Sequence, residues 1–524
     1  MKGMIHMTDL YAPYRTKRPW QPELLPQPIF EENPRLVDLY WRAWESAWSH
    51  VLERTDTPQP FYMDEAMNPG TIWIWDTCFM SMFCRYAPHV FPGIESLNNF
   101  YFILYDHKPA PVRIHFADNP PLFAWVEWQY FQLTGNLNRL RWVLVENRYL
   151  EQHFEFMEHA RRILPPPHVN VRPIAKRLPL GFRWRGNTSG MDNTPRGRNC
   201  WNDSLLNPRK QIGYNNILWL DLLAQQALAA DCIAKIAHVC DRPQIEQKYR
   251  NIAREYGDLL NTYYWDPVDG FYYDLHNKSP EKIKELTARG DPARFSKVKT
   301  VASYWPMVAG VCNTEQAKAL AEKVRDENQF GGYTPWPSLS RDDEAFVPLG
   351  RYWRGGVWLP TAYMGTKALD NYGFWELADT TAERLVCRMD ETYRNYSPHT
   401  IWEVYSPTES KPSTLKDNVS LVREDFCGWS ALGPISLFIE NILGIHEINA
   451  IDRKIRWRIS HSKPHGIKNL RFGPITTDLM YNEKKIHIQS TEDYILELCN
   501  GQGVTIQTLS VKNGENSFSF SPEI

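Results

Sequence analysis

A mainly α-helical toroid followed by a small C-terminal all-β domain is the fold class that this sequence predicts, on three observations. Apolar residues recur at helical spacing along most of the chain. The stretches between those runs are long and rich in Pro, Gly, Asn and Asp. Past residue 448 the period shortens to strict alternation. The number of helical runs suits a toroid better than a bundle. No β–α alternation of the doubly wound kind appears and no glycine-rich phosphate loop follows a strand, so nucleotide cofactors have no support.

The elements follow in order. Residues 1–30 read as an N-terminal extension, and "MKGMIHMTDLYAPYRTKRPW" lacks the apolar run of a signal peptide. Residues 31–447 read as the main helical domain. Its first helix is "LVDLYWRAWESAWSHVL" (36–52), with Leu36, Leu39, Trp44, Trp48 and Val51 at roughly helical spacing. "YNNILWLDLLAQQALAADCIAKIAHVC" (214–240) is a long apolar helix free of Gly and Pro. Further helical periods fall near 78–86, 121–133, 245–262, 314–325, 357–371, 374–392 and 428–443. In residues 448–524, Ile455, Trp457 and Ile459 alternate with charged residues, and "KKIHIQS", "DYILELCNG", "QGVTIQTLSV" and "NSFSFSP" continue the period of two. The exposed positions there are mostly Lys, Glu, Gln and Ser, which suits a sandwich-like module covering the main domain better than one that binds sugar.

Composition narrows the chemistry. With 524 residues, 43% of them hydrophobic, the chain can bury a large core. A formal net charge of −2 gives no electrostatic case for nucleic acid or a membrane surface, so the expected partner is small and neutral. Nine cysteines without CxxC pairs or Cys/His clusters suit a reducing, cytoplasmic location and argue against a metal site. No cofactor is expected. Aromatic residues reach 13%, with 21 Trp, and many sit in loops beside Asp, Glu, Arg and Gly. A core can absorb such rings, but flat rings beside hydrogen-bonding groups also hold a pyranose, which has apolar C–H faces and a rim of hydroxyls.

Four loops join carboxylates to aromatics and glycines: "TIWIWDTCF" (71–79), "GNTSGMDNTPRG" (186–197), "SRDDEAFVPLGRYWRGGVWLP" (340–360) and "IWEVYSPTES" (401–410). In a toroid of helical hairpins, loops distant in sequence gather at one mouth. Two carboxylates from different loops, one neutral and one ionised, are what glycoside hydrolysis needs. Asp192 and Glu403 are the candidate pair. Asp192 and Asn193 could instead form only an Asx turn before Pro195, and Glu409 is a rival base in the same loop as Glu403. Asp342 and Asp343 suit a structural, loop-ordering role.

The segments "WIWDTCF", "DNPPLFAWVEWQYFQLTG", "SGMDNTPR", "PSLSRDD", "YWRGGVW", "WEVYSP" and "FCGWSALGPISLFIENILGI" resemble, in order, the motifs of glycoside hydrolase family 63 and the mannosylglycerate hydrolase-like enzymes, with trehalases more distant. The likeness runs from about residue 70 to 445. It implies an (α/α)6 barrel, a small carbohydrate partner, an exo-acting, inverting attack on its α-glycosidic bond, and no required metal. It places the general acid on Asp192 and the general base on Glu403. Trp75 and Asp76 are expected to hold the sugar, although Asp76 could also cap a helix. Tyr352, Trp353, Arg354 and Trp358 resemble the sugar wall, with Gly355 and Gly356 allowing close approach; Gly356 stands where Pro is commoner. Asn119 stands where relatives usually carry Gln, which leaves the sugar's identity open. Trp201 and Trp336 are expected aglycone contacts. A lyase or phosphorylase on the same toroid would need a Tyr/His/Lys set or a phosphate site, and a sugar-binding protein would lose one carboxylate.

Overall fold

The computed structural model describes residues 10–65, 68–162, 168–196 and 216–520. In chain order its α-helices are α1 (Pro34–Ser49), α2 (Ile74–Cys84), α3 (Leu97–Leu104), α4 (Phe123–Thr134), α5 (Leu137–Leu140), α6 (Tyr149–His159), α7 (Leu220–Val239), α8 (Pro243–Leu259), α9 (Pro280–Ala288), α10 (Trp305–Val308), α11 (Thr314–Arg325), α12 (Leu359–Asn371) and α13 (Trp375–Asn395). A π-helix, Gly433–Ile442, follows. None of the described helices is long and apolar enough to cross a membrane.

Local sequence sets the helix ends. Pro34, Pro243 and Pro280 stand in first turns, where a missing N–H costs no hydrogen bond. Asn313 and Gln316 cap the start of α11 reciprocally. Helix α1 buries Leu36, Leu39, Tyr40, Ala43, Trp44 and Ala47, the face its periodicity indicates. It ends at Ser49 rather than 52, because Val51–Glu53 leaves to pair with Phe61–Met63 as an antiparallel ribbon. Helix α7 is buried almost all round and starts at Leu220; Ile217–Leu218 is drawn instead into a three-stranded sheet with Asp274–His276 and Phe295–Ser296. Residues 214 and 215 of that expected helix lie outside the described residues.

Six of the described helical segments touch in a circuit. Helix α2 packs on α4, α4 on α7, α7 on α10, α10 on α12, α12 on the π-helix, and the π-helix on α2. Helix α8 lies against α7, while α13 lies against α12 and the π-helix, and α1 also covers the π-helix. Apolar faces thus meet between layers, and the chain is mainly helical up to residue 442.

The C-terminal region is β, in two sheets. One orders Gln27–Phe30, His465–Phe472, Ile475–Asn482, Lys485–Ser490 and Gly514–Ser519; the other orders Ile445–Asn449, Lys454–Arg458, Tyr494–Cys499 and Thr505–Val511. Alternation does the work predicted for it: Ile486 and Ile488 are buried while Lys485, His487 and Gln489 face out. The first strand comes from the N-terminal segment, pairing Gln27–Phe30 antiparallel with Lys468–His465. The Trp457 indole donates to the Leu443 carbonyl at 2.7 Å, and Arg458 Nε donates to Asp379 Oδ2 of α13 at 3.0 Å, so the β region is fastened to the helices.

Candidate active site

A cavity of about 300 Å³ is lined by Trp75, Asp76, Asn119, Asp192, Tyr352, Trp353, Trp358 and Glu403, together with Trp73, His115, Phe116, Asn187, Gly190, Lys416 and Trp429. All four loops singled out in the sequence reach it. The cavity lies at the N-terminal ends of α2 and α12: Trp73 precedes α2, Asp76 stands in its first turn, and Trp358 precedes α12. Helix N-termini carry partial positive charge, which favours carboxylates nearby.

The loop around Asp192 is held from three sides. Asn193 donates through Nδ2 to the Arg351 carbonyl (2.9 Å) and accepts at Oδ1 from the Trp353 amide (2.8 Å), which ties this loop to the tryptophan loop. Asn119 Nδ2 donates to the Thr188 carbonyl (2.7 Å), and its Oδ1 has no partner among the described residues. Asn119 therefore braces the Asp192 loop and leaves one buried acceptor unpaired beside the cavity that it lines. Beyond Pro195, the buried Arg196 grips Asp221 (2.6 and 2.9 Å) and Asp274 (2.8 and 2.6 Å) in paired forks. Gly190 sits at φ +83°, and a Cβ there would stand 3.1 Å from the Trp75 ring. Small residues are thus what let this loop lie flat on an indole.

The two carboxylates have contrasting surroundings. Glu403 is 1% exposed; its Oε1 accepts from the Tyr352 hydroxyl (3.1 Å) and its Oε2 from the Arg423 amide (3.1 Å). Its backbone carbonyl accepts from the Trp429 indole (3.0 Å), which fixes the side chain's root. Burial raises its pKa above the ordinary glutamate value, against the lowering effect of the Arg423 amide and charge. Asp192, by contrast, has a side chain 30% exposed, and its Oδ2 accepts from Lys416 Nζ at 2.7 Å. Asp76 is buried, and burial with the Glu403, Asp64 and Asp192 charges raises its pKa well above the usual range. Its place in the first turn of α2 gives it a helix-terminal role as well, although Trp73 is the capping residue.

The aromatic wall is built on a strained turn. Arg351 (φ +39°) and Tyr352 (φ +65°) are both left-handed. That turn folds Trp353 onto Trp358, with ring centroids 4.0 Å apart and planes within 8°. The Trp358 indole donates to the Tyr352 carbonyl (3.2 Å), and Trp429 tilts against Trp358 at 5.7 Å.

Other expected residues lie elsewhere. Arg354 and Gly355 do not line the cavity: the Arg354 carbonyl accepts from the Val347 amide (2.8 Å), and Gly355, at φ +141°, gives its amide to Ser338 Oγ (3.2 Å). They shape the turn that presents Trp353. Trp336 is buried in the core, edge-on to Tyr304 at 5.1 Å, and does not line this cavity. Trp201 lies outside the described residues. Glu409 is half-exposed, pairs with Lys411 (2.8 Å) and is absent from the lining. Asp342 takes Lys299 (2.8 Å) and Ser340 Oγ (2.7 Å), and Asp343 caps its own turn through the Ala345 amide (2.9 Å). Among the described residues, no group of His, Cys, Asp and Glu is arranged to hold a metal ion.

Sequence reasoning missed Lys416, His115, Phe116, Trp73, Asn187, Gly190 and Trp429 as lining residues. Trp73, Asn187, Gly190 and Trp429 stood inside segments already singled out. Lys416, in "PSTLKDN", and His115, in "RIHF", carried no signal of their own.

Residues 105–427 match the mannosylglycerate hydrolase MGH1-like glycoside hydrolase domain. The chain is 24% identical over 481 residues to an uncharacterized protein of Borreliella burgdorferi, across 87% of this chain and 90% of that one. It is 24% identical over 409 residues to a mannosyl-oligosaccharide glucosidase of Saccharomyces cerevisiae, across 75% of this chain but only 44% of that one. The GH63 mannosylglycerate hydrolase of Thermus thermophilus in complex with Tris shares the fold, with a TM-score of 0.54 at 16% identity over 76% of this chain and 99% of that one. Built around a tryptophan-walled pocket with two carboxylates from separate loops, the chain is a glycoside hydrolase and belongs to the mannosylglycerate hydrolase MGH1-like family.

Proposed function

We propose that the chain hydrolyses an α-linked glucoside or related glycoside with inversion, acting at the chain end, on an (α/α)6 toroid. The closed circuit of inner helices supports the toroid. The observation that carries the mechanism is that Asp192 and Glu403 converge on one cavity from separate loops, in unlike settings. Glu403 is dry and receives a hydrogen bond on each oxygen, the pattern of an ionised acceptor, and it serves as the base that activates water. Asp192 is half-open to the cavity and serves as the acid on the leaving oxygen. Inversion needs room for a water between base and sugar, so the two carboxyls are expected roughly 6.5–9.5 Å apart. Trp75, Trp353 and Trp358 provide ring faces, and Asp76 and Asn119 Oδ1 take sugar hydroxyls. The described cysteines are free thiols, which fits a cytoplasmic location.

Asp192 and Glu403 are separated by leaving-group dependence. Asp192→Asn is expected to lose about 10²–10⁴-fold in rate on a disaccharide, the usual worth of general acid catalysis, and much less on a glycosyl fluoride. Glu403→Gln is expected to be slow on both. NMR of the first product anomer should show inversion; a retained anomer, or full activity in Glu403→Gln, would overturn the assignment.

Within this class, Lys416 favours an aglycone bearing a carboxylate, because its ammonium stands 2.7 Å from the proposed acid on the leaving-group side. Such an anion would compete with Asp192 for the Lys416 ammonium. A glycosyl-glycerate of the kind named for the Thermus relative has that character. Lys416→Met is expected to lower kcat/KM about 10–100-fold on a glycosyl-glycerate, in line with ~1.5–3 kcal/mol for a charged hydrogen bond, and far less on a neutral disaccharide. Equal losses on both would remove the anionic aglycone from the proposal and keep the glycosidase.

A further inference from the structure

A second cavity, of about 290 Å³, lies at the opposite end of the same helices. Where the first gathers at the start of α2 and before α12, this one is lined by Arg85 and Tyr86, which follow α2, and by Lys367, Asp370 and Asn371 at the end of α12. The eleven residues of α2 separate the two by roughly 16 Å, at about 1.5 Å per residue. One wall is the strand Ile445–Asn449, the first of the β region.

The charges in this lining are already matched. Glu440 takes Arg85 (2.8 Å), Lys367 (2.6 Å) and the Tyr86 hydroxyl (2.8 Å); Lys367 also takes Asp370 (2.7 Å), and Lys235 takes Asp231 (2.6 Å). A charged ligand reaching Glu440 or Arg85 would have to break a buried pair, which costs several kcal/mol for each ion stranded, while Lys235 and Asp231 form a more exposed pair. The uncommitted groups are neutral. The Trp128 indole N–H and the Gln132 side-chain amide, both in the lining, have no hydrogen-bond partner among the described residues. His446 Nδ1 lies 3.2 Å from the Gly444 carbonyl and donates to it, which leaves Nε2 as an acceptor with no partner. Burial, helped by the Arg458 charge, lowers the His446 pKa to about 3, so the ring is neutral. An indole face, a donor–acceptor amide and a bare acceptor between closed ion pairs suit an uncharged, hydroxyl-rich ring.

We propose that this cavity is a second, non-catalytic saccharide site, with Trp128 against a ring face and Gln132 and His446 on its hydroxyls. It uses neither Asp192 nor Glu403, so it stands apart from the catalytic assignment.

The test is a ligand-observed NMR titration of D-glucose and D-mannose against the full chain. Four variants complete it: Trp75→Ala, which strips a ring from the catalytic pocket; Trp128→Ala with Gln132→Ala; those three changes together; and Gln132→Leu alone. Saturable binding is expected to survive in Trp75→Ala and to weaken at least tenfold in the three-fold variant. Gln132→Leu, a single half-buried change that spares the core, is expected to weaken that component at least threefold. D-glucuronate is expected to bind more weakly than D-glucose. Hydrolysis by the Trp128→Ala/Gln132→Ala variant should match the wild type, which also shows that it folds. Loss of all saturable binding in Trp75→Ala, or undiminished binding in both Gln132→Leu and the three-fold variant, would overturn the site.

Discussion

At the scale of single residues, the active site balances burial against hydrogen bonding. Glu403 sits where burial favours its neutral form, and Tyr352 and the Arg423 amide partly restore the charged form that a base requires. The sign gives a pH prediction. Because the pKa is raised, the acid limb of kcat/KM is expected above the ordinary glutamate range, with activity lost as pH falls through it. Tyr352→Phe removes a donor to the carboxylate, so the limb should move further up, while the rate at high pH falls less than in Glu403→Gln. A pH–rate profile of both proteins checks this; a limb that stays put or moves down would dissociate Tyr352 from the base. Asp192 and Glu403 were legible as candidates because loop motifs frame two carboxylates, and both line the cavity. Lys416 was not, since a lysine in a polar loop resembles any solvated lysine until folding sets it against Asp192. Trp336 misled for the opposite reason: a tryptophan in a Gly/Pro-rich loop reads the same whether its ring meets a sugar or, as here, Tyr304.

At the scale of elements, the helices showed themselves where one apolar face repeats, as in α1, or where a long apolar run lacks Gly and Pro, as in α7, and hid where neither holds. Helix α3 is short and apolar on nearly every side, and α9 buries only Ile283 and Leu286. Ends were misjudged where tertiary pairing overrode propensity, as when Val51 and Ile217 joined strands. The loop at Asp192 was read for its small residues, and the structure supplies the reason at Gly190. A methyl there would meet the Trp75 ring at 3.1 Å on a backbone at φ +83°, which L-residues avoid at a cost of roughly 1–2 kcal/mol. Gly190→Ala is therefore expected to lift the loop that carries Asp192. Small displacements near reacting atoms cost up to about 10²-fold, so kcat/KM should drop by ~10–100-fold with the helical circular-dichroism signal unchanged. Wild-type kinetics in Gly190→Ala would show that the loop's seat on Trp75 does not position the proposed acid.

For the whole molecule, the question is whether the β region is a separate unit or part of one fold. Residue 448 marks a change of texture, yet the strand Ile445–Asn449 begins before it and Gln27–Phe30 joins the five-stranded sheet from the far end of the chain. A four-residue strand recruited over so long a separation leaves no local pattern, which is why residues 1–30 read only as an extension. Arg458 decides how tightly the parts are coupled. It is fully buried, and its fork holds Asp379 on α13 (Nε to Oδ2, 3.0 Å) with Asp370 of α12 at 3.7 Å. Asp370 continues through Lys367 to Glu440 and Arg85, so one chain of buried charges runs from the β region to α2. Removing one partner of a buried pair costs about 3–5 kcal/mol. If the chain unfolds as one unit, Arg458→Ala should lower Tm by only about 3–4 °C, because an unfolding entropy near ~2.1 cal/mol/K per residue is summed over 524 residues. A β region that unfolds alone would respond by roughly 4–8 °C per kcal/mol, typical of 60–100 residues, and would appear as a separate transition. The pH dependence adds a second reading. Burial holds Asp379 up at about 6 even beside Arg458, so the stability linked to its neutral form is present below the ordinary aspartate value and lost as pH rises through 6. Without Arg458 the carboxyl is still harder to ionise, and the penalty should be larger at pH 8 than at pH 5. Calorimetry of wild type and Arg458→Ala at both pH values is expected to show one transition, shifted by a few degrees and more at pH 8; a second, strongly shifted transition would make the β region an independent domain.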